Sequence, residues 1–283
     1  MRRIAISNQK GGVGKTTTTV NLGACIAELG KRVLLVDMDP QANLTLHLGL
    51  EISRDDPSAY TLLRGEHPLE DAVRDTAVNG LWVVPSNIDL AGLEVELSTW
   101  QTGRERCLVN ALAGLDGQYD YVLVDCPPSL GLLTLNSMCA VREIFIPLQT
   151  EFFALQGLGR LMSTVQLVRS VLNPEVEITG IIASMFDVRT SLAVEVLQDI
   201  KEHFGDKVFD TVVRKNVRLA EAPSFGIPII LYDVACYGAE DYRSLARETV
   251  AMEGTLVEAP VQGDVTPPLP AGVGEAVPLA QAG

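Results

Sequence analysis

The 283-residue sequence predicts an α/β fold, a doubly wound and mainly parallel sheet with helices on both faces. Short apolar runs alternate with helical patterns along most of the chain. Two of those runs end in an aspartate, and the first run is followed by a glycine-rich loop. Continuously apolar runs are typical of strands buried on both faces, and such strands belong to parallel sheets. The hydrophobic content of 47% is enough for a large core.

The first strand and the loop behind it predict a phosphate-binding site. Apolar residues 4–6 lead into a loop of glycines, lysines and threonines, and a helical pattern follows in residues 22–29. The glycines let successive N–H groups point at an anion, and the helix adds its positive dipole end. In such a loop Lys15 reaches the β and γ phosphates, and the Thr16 hydroxyl binds the bridging Mg²⁺. The loop consists of Lys10, Gly11, Gly12, Val13, Gly14, Lys15, Thr16 and Thr17.

The loop departs from the usual phosphate-loop spelling at Gln9, where a glycine is expected. A second lysine, Lys10, precedes the glycines instead. The alternative interpretation is a glycine-rich turn with two solvated lysines. The order of strand, loop, Lys-Thr and helix disfavours that alternative, because a phosphate-binding loop requires all four in this order.

Two further strands end in carboxylates. Residues 31–37 form an apolar run that ends at Asp37, and Asp39 follows in a polar loop. Residues 119–125 form another run, and Asp125 at its end has the form of a Walker B aspartate that holds Mg²⁺ through water. Open α/β sheets place their ligands at such carboxyl ends. Solvated turn residues or a helix cap are the alternative for the first two acids, and the phosphate loop argues against it.

The remaining elements continue the alternation of strand and helix. Residues 51–80 are polar and irregular apart from one short helix. The predicted elements are that helix over residues 59–63, strands over 81–85, 143–147, 178–186 and 229–231, and helices over 90–97, 104–115, 159–171, 192–204 and 239–252.

Charge and cysteine usage limit the classes of function. The formal net charge of −14 argues against a protein that coats nucleic acid constitutively, so any DNA binding has to be local or conditional. The five cysteines form no CxxC pair and lie among apolar residues, which indicates free thiols in a reducing cytosol. The first residues are too short an apolar run for a signal peptide, and no run reaches the length of a bilayer span.

One phosphate-loop domain is expected over residues 1–253, because the motifs lie along a single alternation of strand and helix. Residues 254–283 have a different composition, in which prolines stand among glycine, alanine, valine and isolated acids. This composition has no periodicity and cannot build a core or a helix. A disordered, acidic tail rich in proline, alanine and glycine is therefore expected there.

Several stretches together carry a resemblance to a known family. A lysine ahead of the glycines marks the deviant Walker A loop, and the two stretches nearest the C-terminus are typical of one branch of that superfamily. The chain resembles the chromosomal-type ParA (Soj-like) partition ATPases, which are deviant phosphate-loop NTPases, from residue 4 to about residue 252. The matching stretches are residues 8–18, 36–41, 124–129, 186–190 and 216–224.

The resemblance implies roles for the site residues. It implies ATP and Mg²⁺ as the ligands, with residues 11–17 around the nucleotide and Lys15 on its phosphates. Lys10 is expected to reach the ATP of a partner subunit, and Asp39 to position the attacking water. Thr16 and Asp125 are expected at Mg²⁺, with Asp37 supporting the metal's surroundings. The adenine contacts are assigned to Met185, Asn216 and Pro223.

The resemblance also implies partners. An ATP-bound homodimer is expected to bind double-stranded DNA without sequence preference, through Arg189, Lys215 and Arg218. A ParB-like centromere-binding protein is expected to stimulate hydrolysis, in a cytoplasmic, nucleoid-associated protein that binds no membrane. The phosphate loop starts at Lys10, which leaves no room for an N-terminal helix-turn-helix domain. Repression at a specific operator is therefore not expected.

Three alternatives stay open. A Min-type membrane-associated regulator of cell division would need a basic amphipathic C-terminal helix, whereas this tail is acidic and rich in proline. A redox protein like the nitrogenase iron protein would need paired cysteines in glycine-flanked contexts, and neither Cys126 nor Cys139 has one. A binding module without hydrolysis would release no phosphate from ATP.

Overall fold

The computed structural model describes residues 1–115, 117–151 and 154–254. Within them the strands form one seven-stranded sheet in the order β3-β4-β2-β5-β1-β6-β7. All neighbouring strands are parallel except β3 and β4. The predicted doubly wound, mainly parallel sheet is confirmed. The strands are β1 Arg2–Ile6, β2 Val33–Asp37, β3 Arg74–Asp75, β4 Leu81–Val84, β5 Tyr121–Asp125, β6 Glu143–Gln149 and β7 Glu177–Ser184.

Helices cover both faces of the sheet, and each face has its own hydrophobic cluster. The first cluster joins one face to helices α3 through α9, and the second joins the other face to α1, α2, α11 and α12. The helices are α1 Lys15–Glu28, α2 Asn43–His47, α3 Ala59–Leu63, α4 Leu69–Ala72, α5 Leu90–Ser98, α6 Cys107–Ala111, α7 Leu132–Ala140, α8 Ala154–Val171, α9 Ser191–Phe204, α10 Val217–Glu221, α11 Ile229–Tyr232 and α12 Tyr237–Ala251. None of the helices in the described ranges has the length and apolar character that a bilayer span requires.

The strand register places three chain segments at one edge of the sheet. Every residue of β2 and β5 is buried, as their unbroken apolar sequences predict. Asp37 pairs with Asp125 across β2 and β5, and Ile6 pairs with Asp125 across β1 and β5. The loops that follow these three strands therefore converge at the carboxyl edge, beside β1, where the strand order reverses.

The predicted strand over residues 229–231 is wrong, because these residues form the single helical turn α11. Pro228 precedes this turn, and the backbone N–H of Ile229 donates to the side chain of Asn21 in α1 (2.7 Å). Asn21 is some 200 residues away in sequence. Residues 229–231 are too few to determine their own secondary structure, so tertiary contacts such as this hydrogen bond determine it.

The structure also corrects smaller elements. The helix predicted over residues 104–115 is limited to α6, and the segment expected to be irregular contains α4 and β3 as well as the predicted α3. After β7 the described chain adds isolated bridges at Val208 and Arg214 but no further strand. Apart from Gly254, the tail predicted over residues 254–283 lies outside the described residues.

Candidate functional site

The loop between β1 and α1 has the backbone geometry that phosphate binding requires. Gly12 and Gly14 have φ values of 74° and 87°, a left-handed region that glycine adopts without the steric cost of a Cβ. Gly14 is the N-cap of the 14-residue helix α1, so the free N–H groups and the positive dipole end of α1 face the loop. A Cβ built on Gly11 or Gly12 meets no atom within 4 Å, which shows open space beside the loop.

Side chains from neighbouring segments fix the loop's shape. The Asn8 amide donates to the carbonyl of Pro147 in β6 (2.8 Å) and accepts from the N–H of Lys10 (3.0 Å). The Ser184 hydroxyl at the end of β7 donates to the carbonyl of Val13 (2.8 Å). Asn8 and Ser184 were not predicted as site residues. Asn8 lies in the matched stretch, whereas nothing in the sequence around Ser184 indicates its partner.

The two lysines of the loop have different surroundings. Lys15 is 7% exposed, and its ammonium lies 3.5 Å from the carbonyl oxygen of Lys10. Burial lowers the pKa of Lys15, and the nearby carboxylate of Asp125 opposes that shift. Lys10 is exposed, and its ammonium pairs with Glu151 (2.5 Å) and contacts the Gln149 side chain (3.4 Å). The Lys15 side chain is therefore held within the loop, while the Lys10 side chain lies on the outer surface.

Thr16 and Asp125, both expected at Mg²⁺, are hydrogen-bonded to each other. The Thr16 hydroxyl donates to one Asp125 oxygen (2.7 Å), and the Thr19 hydroxyl donates to the other (3.1 Å). Asp125 is fully buried, and burial together with the nearby Asp37 raises the pKa of its carboxyl group. A bound cation would oppose this shift by favouring the charged carboxylate.

These oxygen donors fit Mg²⁺, which prefers hard oxygen ligands and commonly uses one or two protein groups plus phosphates and water. The described residues contain no group of three His, Cys, Asp or Glu side chains that could hold a metal ion by themselves. Thr16 and Asp125 suit an ion that the nucleotide's phosphates help to hold.

Asp37 organises the loop that follows β2. It is fully buried, and its oxygens accept from the N–H of Asp39 (3.1 Å) and from the N–H and hydroxyl of Thr45 (3.0 and 2.7 Å). Burial raises the pKa of Asp37, against the effect of these hydrogen bonds. Its contacts in the structure are to the loop itself, so a supporting role at the metal stays a prediction.

Asp39 is held from two sides. Its side chain accepts from the N–H of Gln41 (2.9 Å), and its backbone carbonyl accepts from the Ser86 hydroxyl (2.8 Å). The N–H of Ser86 in turn donates to the Thr45 hydroxyl (2.9 Å). Ser86 and Thr45 were missed in the sequence. A signal did exist for Ser86, because only Pro85 separates it from the apolar run of β4, and Asp37 and Asp125 likewise lie at the ends of such runs.

The predicted adenine residues lie in two adjacent segments. Met185 directly follows β7 with a φ of 51°, and its methyl carbon lies 3.8 Å from the position of a Cβ built on Gly14. A bridge between Phe186 and Arg214 brings the chain toward Asn216, which caps α10. Pro223 lies in the following 3-10 turn. Met185 is thus beside the phosphate loop, and the adenine contacts of all three predicted residues stay a prediction.

The predicted DNA-binding residues are near the same segments, and both arginines are ion-paired. Arg189 forms a two-pronged pair with Asp187 (2.8 and 2.7 Å), and Arg218 pairs with Glu221 (2.9 Å). The N–H of Lys215 donates to the carbonyl of Phe186 (3.1 Å), which joins the two segments.

Known proteins share this architecture. The family profile described as an AAA domain matches residues 1–178. The chromosome partitioning protein ParA of Caulobacter vibrioides is 50% identical over 256 residues, covering 89% of this chain and 95% of the relative. The chromosome-partitioning ATPase Soj of Treponema pallidum is 49% identical over 253 residues, covering 89% of this chain and 98% of the relative.

A solved structure agrees with the fold. Cobyrinic acid a,c-diamide synthase from Mycobacterium smegmatis with bound ADP and magnesium superposes with a TM-score of 0.77 at 36% identity. The match covers 89% of this chain and 95% of that chain. Sequence identity near one half over almost the whole length of curated relatives, together with the loop geometry, shows that this chain belongs to the ParA/Soj family of chromosome-partitioning ATPases.

Proposed function

We propose that this chain is a Mg²⁺-dependent ATPase that partitions DNA. It binds ATP, forms a homodimer with it, and as a dimer binds duplex DNA without sequence preference until a ParB-like partner stimulates hydrolysis. The observation that carries this proposal is the convergence of the phosphate loop, the Thr16–Asp125 pair and the Asp39 loop at one sheet edge. We propose residues 1–253 as the ATPase domain.

Phosphoryl transfer to water depends on charge neutralisation and positioning more than on covalent catalysis. Lys15 and the N–H groups at the start of α1 bind and orient the phosphates. When bound, Mg²⁺ neutralises charge on the phosphate oxygens, and Thr16 and Asp125 hold it. Asp39 orients the attacking water, since it follows β2 at the edge where Asp125 ends β5.

The surface position of Lys10 supports a role in a partner subunit. In the isolated chain its ammonium is paired with Glu151, with both side chains more than half exposed. An exposed pair of this kind contributes little stability, so a partner's phosphates can replace the glutamate at small cost. Because Lys10 of each subunit completes the other subunit's ATP site, binding of ATP controls dimerisation.

Replacement of Asp39 tests the catalytic assignment. Asp39→Ala is expected to keep ATP affinity and the ATP dimer but to lose hydrolysis by about 10²- to 10⁴-fold, the range typical of a positioned base. Phosphate release and binding of a fluorescent ATP analogue measure the two properties separately. Asp55→Ala, at an exposed acid outside the site, is the matched control. Unchanged turnover in Asp39→Ala would remove this residue from the mechanism.

The Min-type alternative is less well supported. Membrane-surface helices combine an apolar face with lysines and arginines. Residues 254–283 contain no lysine or arginine. We therefore expect a cytoplasmic protein on the nucleoid, and sedimentation with ATP, duplex DNA or anionic vesicles separates the two functions. Co-sedimentation with vesicles but not with DNA would favour the Min-type function.

A further inference from the structure

An open groove of about 860 Å³ lies at the amino edge of the sheet, away from the phosphate loop. It lies beside β3 and β4 on the face that α3 and α6 cover. We call it the aromatic groove, because three aromatic side chains contribute to its walls. Its lining includes Leu63, Trp82, Trp100, Cys107, Leu115 and Tyr119.

The aromatic side chains of the groove are accessible. Trp100 is 41% exposed, and Trp82 and Tyr119 are half-buried. The rings of Trp82 and Tyr119 pack edge to face with centroids 5.6 Å apart, which presents a corner of two ring surfaces. Grooves of this kind suit polyproline II segments, since proline rings stack on aromatic faces and the extended backbone needs no partner strand.

The chain itself contains a sequence of the kind that such grooves recognise. Residues 267–270 read Pro-Pro-Leu-Pro, which fits the PxxP pattern that aromatic grooves recognise. The composition of residues 254–283 predicts that they form no core of their own, and a polyproline II ligand needs none.

The described chain ends at the same amino edge of the sheet as the groove, on the opposite face. Glu253 accepts hydrogen bonds from the Tyr121 hydroxyl and from Lys31 (3.0 Å), both at the amino edge of the sheet. Tyr119, in the groove wall, is two residues before Tyr121, a distance of about 7 Å along the chain. Residues 254–266 can span about 40 Å when extended, which is ample to pass around this edge.

We propose that residues 267–270 bind in the aromatic groove of their own chain. Tethering makes weak binding sufficient. A short tether gives an effective concentration in the millimolar range, so an intrinsic Kd of about 100 µM leaves about nine tenths of the segments bound. The groove is separate from the nucleotide site, so this interaction does not depend on the proposed function.

The protein's fluorescence reports on the groove directly, because Trp82 and Trp100 are its two tryptophans and both line it. The test compares acrylamide quenching of full-length wild type with that of full-length protein carrying Pro267→Ala and Pro270→Ala. The variant is expected to show a quenching constant about twofold higher, because ring faces covered by proline become open to the quencher. Full-length protein carrying Pro260→Ala and Pro278→Ala is the matched control and should behave as wild type.

A peptide of residues 262–275 provides a second measurement. Added to the Pro267→Ala/Pro270→Ala protein, it should restore the wild-type quenching constant, whereas the same peptide with alanine at both positions should not. Equal quenching of wild type and the double variant would overturn the proposal. A quenching difference that disappears on dilution would also overturn it, since binding within one chain is independent of protein concentration.

Discussion

Asp39 owes its position to residues that are distant in sequence. Thr45 joins the Asp37 carboxylate to the N–H of Ser86, and the Ser86 hydroxyl holds the carbonyl of Asp39. The sequence predicts the two aspartates, because both follow one buried apolar run. It does not predict their link to Ser86, because that link depends on β2 pairing with β4, whose partner residues are 48 positions apart in sequence.

Ser86→Ala should slow hydrolysis without changing ATP affinity. One buried hydrogen bond contributes about 1 kcal/mol, so a loosened Asp39 loop should lower kcat by up to about tenfold. Steady-state phosphate release gives kcat, and binding of an ATP analogue gives the affinity. Thr76→Val is the matched control, because the Thr76 hydroxyl donates to the carbonyl of Leu81 (2.9 Å) at the other end of β4. If both variants are less stable than wild type but neither has a lower kcat, Ser86 does not position Asp39.

His47 at the end of α2 should make stability depend on pH. It is 2% exposed, its Nε2 has no hydrogen-bond partner among the described residues, and burial lowers its pKa to about 4. Because the unfolded chain has a histidine pKa near 6.5, unfolded protein binds more protons between these values. The stabilising effect of a neutral His47 is therefore present at neutral pH and lost as the pH falls.

His47→Phe removes the titrating group. Comparison of the variant with wild type therefore isolates the contribution of His47 to the pH dependence of stability. Between pH 7.5 and pH 5.0 the free energy of unfolding of wild type should fall by about 2 kcal/mol more than that of the variant. Urea unfolding at the two pH values measures this difference. The raised pKa values of Asp37 and Asp125 act in the opposite direction, but equally in both proteins, so they cancel. An identical pH dependence of the two proteins would mean that His47 is not kept neutral by burial.

At the scale of elements, a strand or helix could be predicted where its own residues determine its conformation. The strands β2 and β5 were predicted from their sequences, because every residue of both is buried and the side-chain pattern is unbroken. Residues 229–231 are equally apolar, but three residues carry no period that separates strand from helix. Pro228 at the N-cap and the hydrogen bond to the side chain of Asn21 favour a helical turn there.

The phosphate loop gives a test of dimerisation. The resemblance to partition ATPases implies that the glycines between Lys10 and Lys15 pack against the partner subunit. Gly12 has a positive φ, so Gly12→Val would strain the loop by about 1–2 kcal/mol and disturb phosphate binding as well. Gly11 lacks a positive φ, and a Cβ there points into open space. Gly11→Val should therefore bind ATP as a monomer, and light scattering with ATP measures this. A normal ATP dimer of Gly11→Val would place Gly11 outside the interface.

At the scale of the whole molecule, the distribution of charge matters more than the total of −14. The predicted DNA-binding arginines follow β7 at the carboxyl edge or lie in α10, and each is partly neutralised by a neighbouring acid. DNA phosphates therefore have to replace carboxylates. One subunit offers too few cations against an acidic background, whereas the proposed ATP dimer would double them and gain affinity through bivalency.

DNA binding by the ATP dimer should consequently depend on salt through four arginines. If Arg189 and Arg218 of both subunits each contact a phosphate, log K should fall with log salt at a slope of about −3.6, and Arg218→Ala should flatten it by about 2.

Arg142→Ala is a closely matched control, because Arg142 is as exposed as Arg218 and also ion-paired (3.0 Å to Glu175), but lies at the amino edge before β6. Glu221→Gln removes the nearer of the two carboxylates that pair with Arg218, the other being Asp233 (3.4 Å), and should raise affinity without changing ATPase activity in the absence of DNA. Fluorescence anisotropy with labelled duplexes of unrelated sequence measures all four proteins. A strong preference for one sequence, or equal slopes for wild type and Arg218→Ala, would show that the DNA surface lies elsewhere.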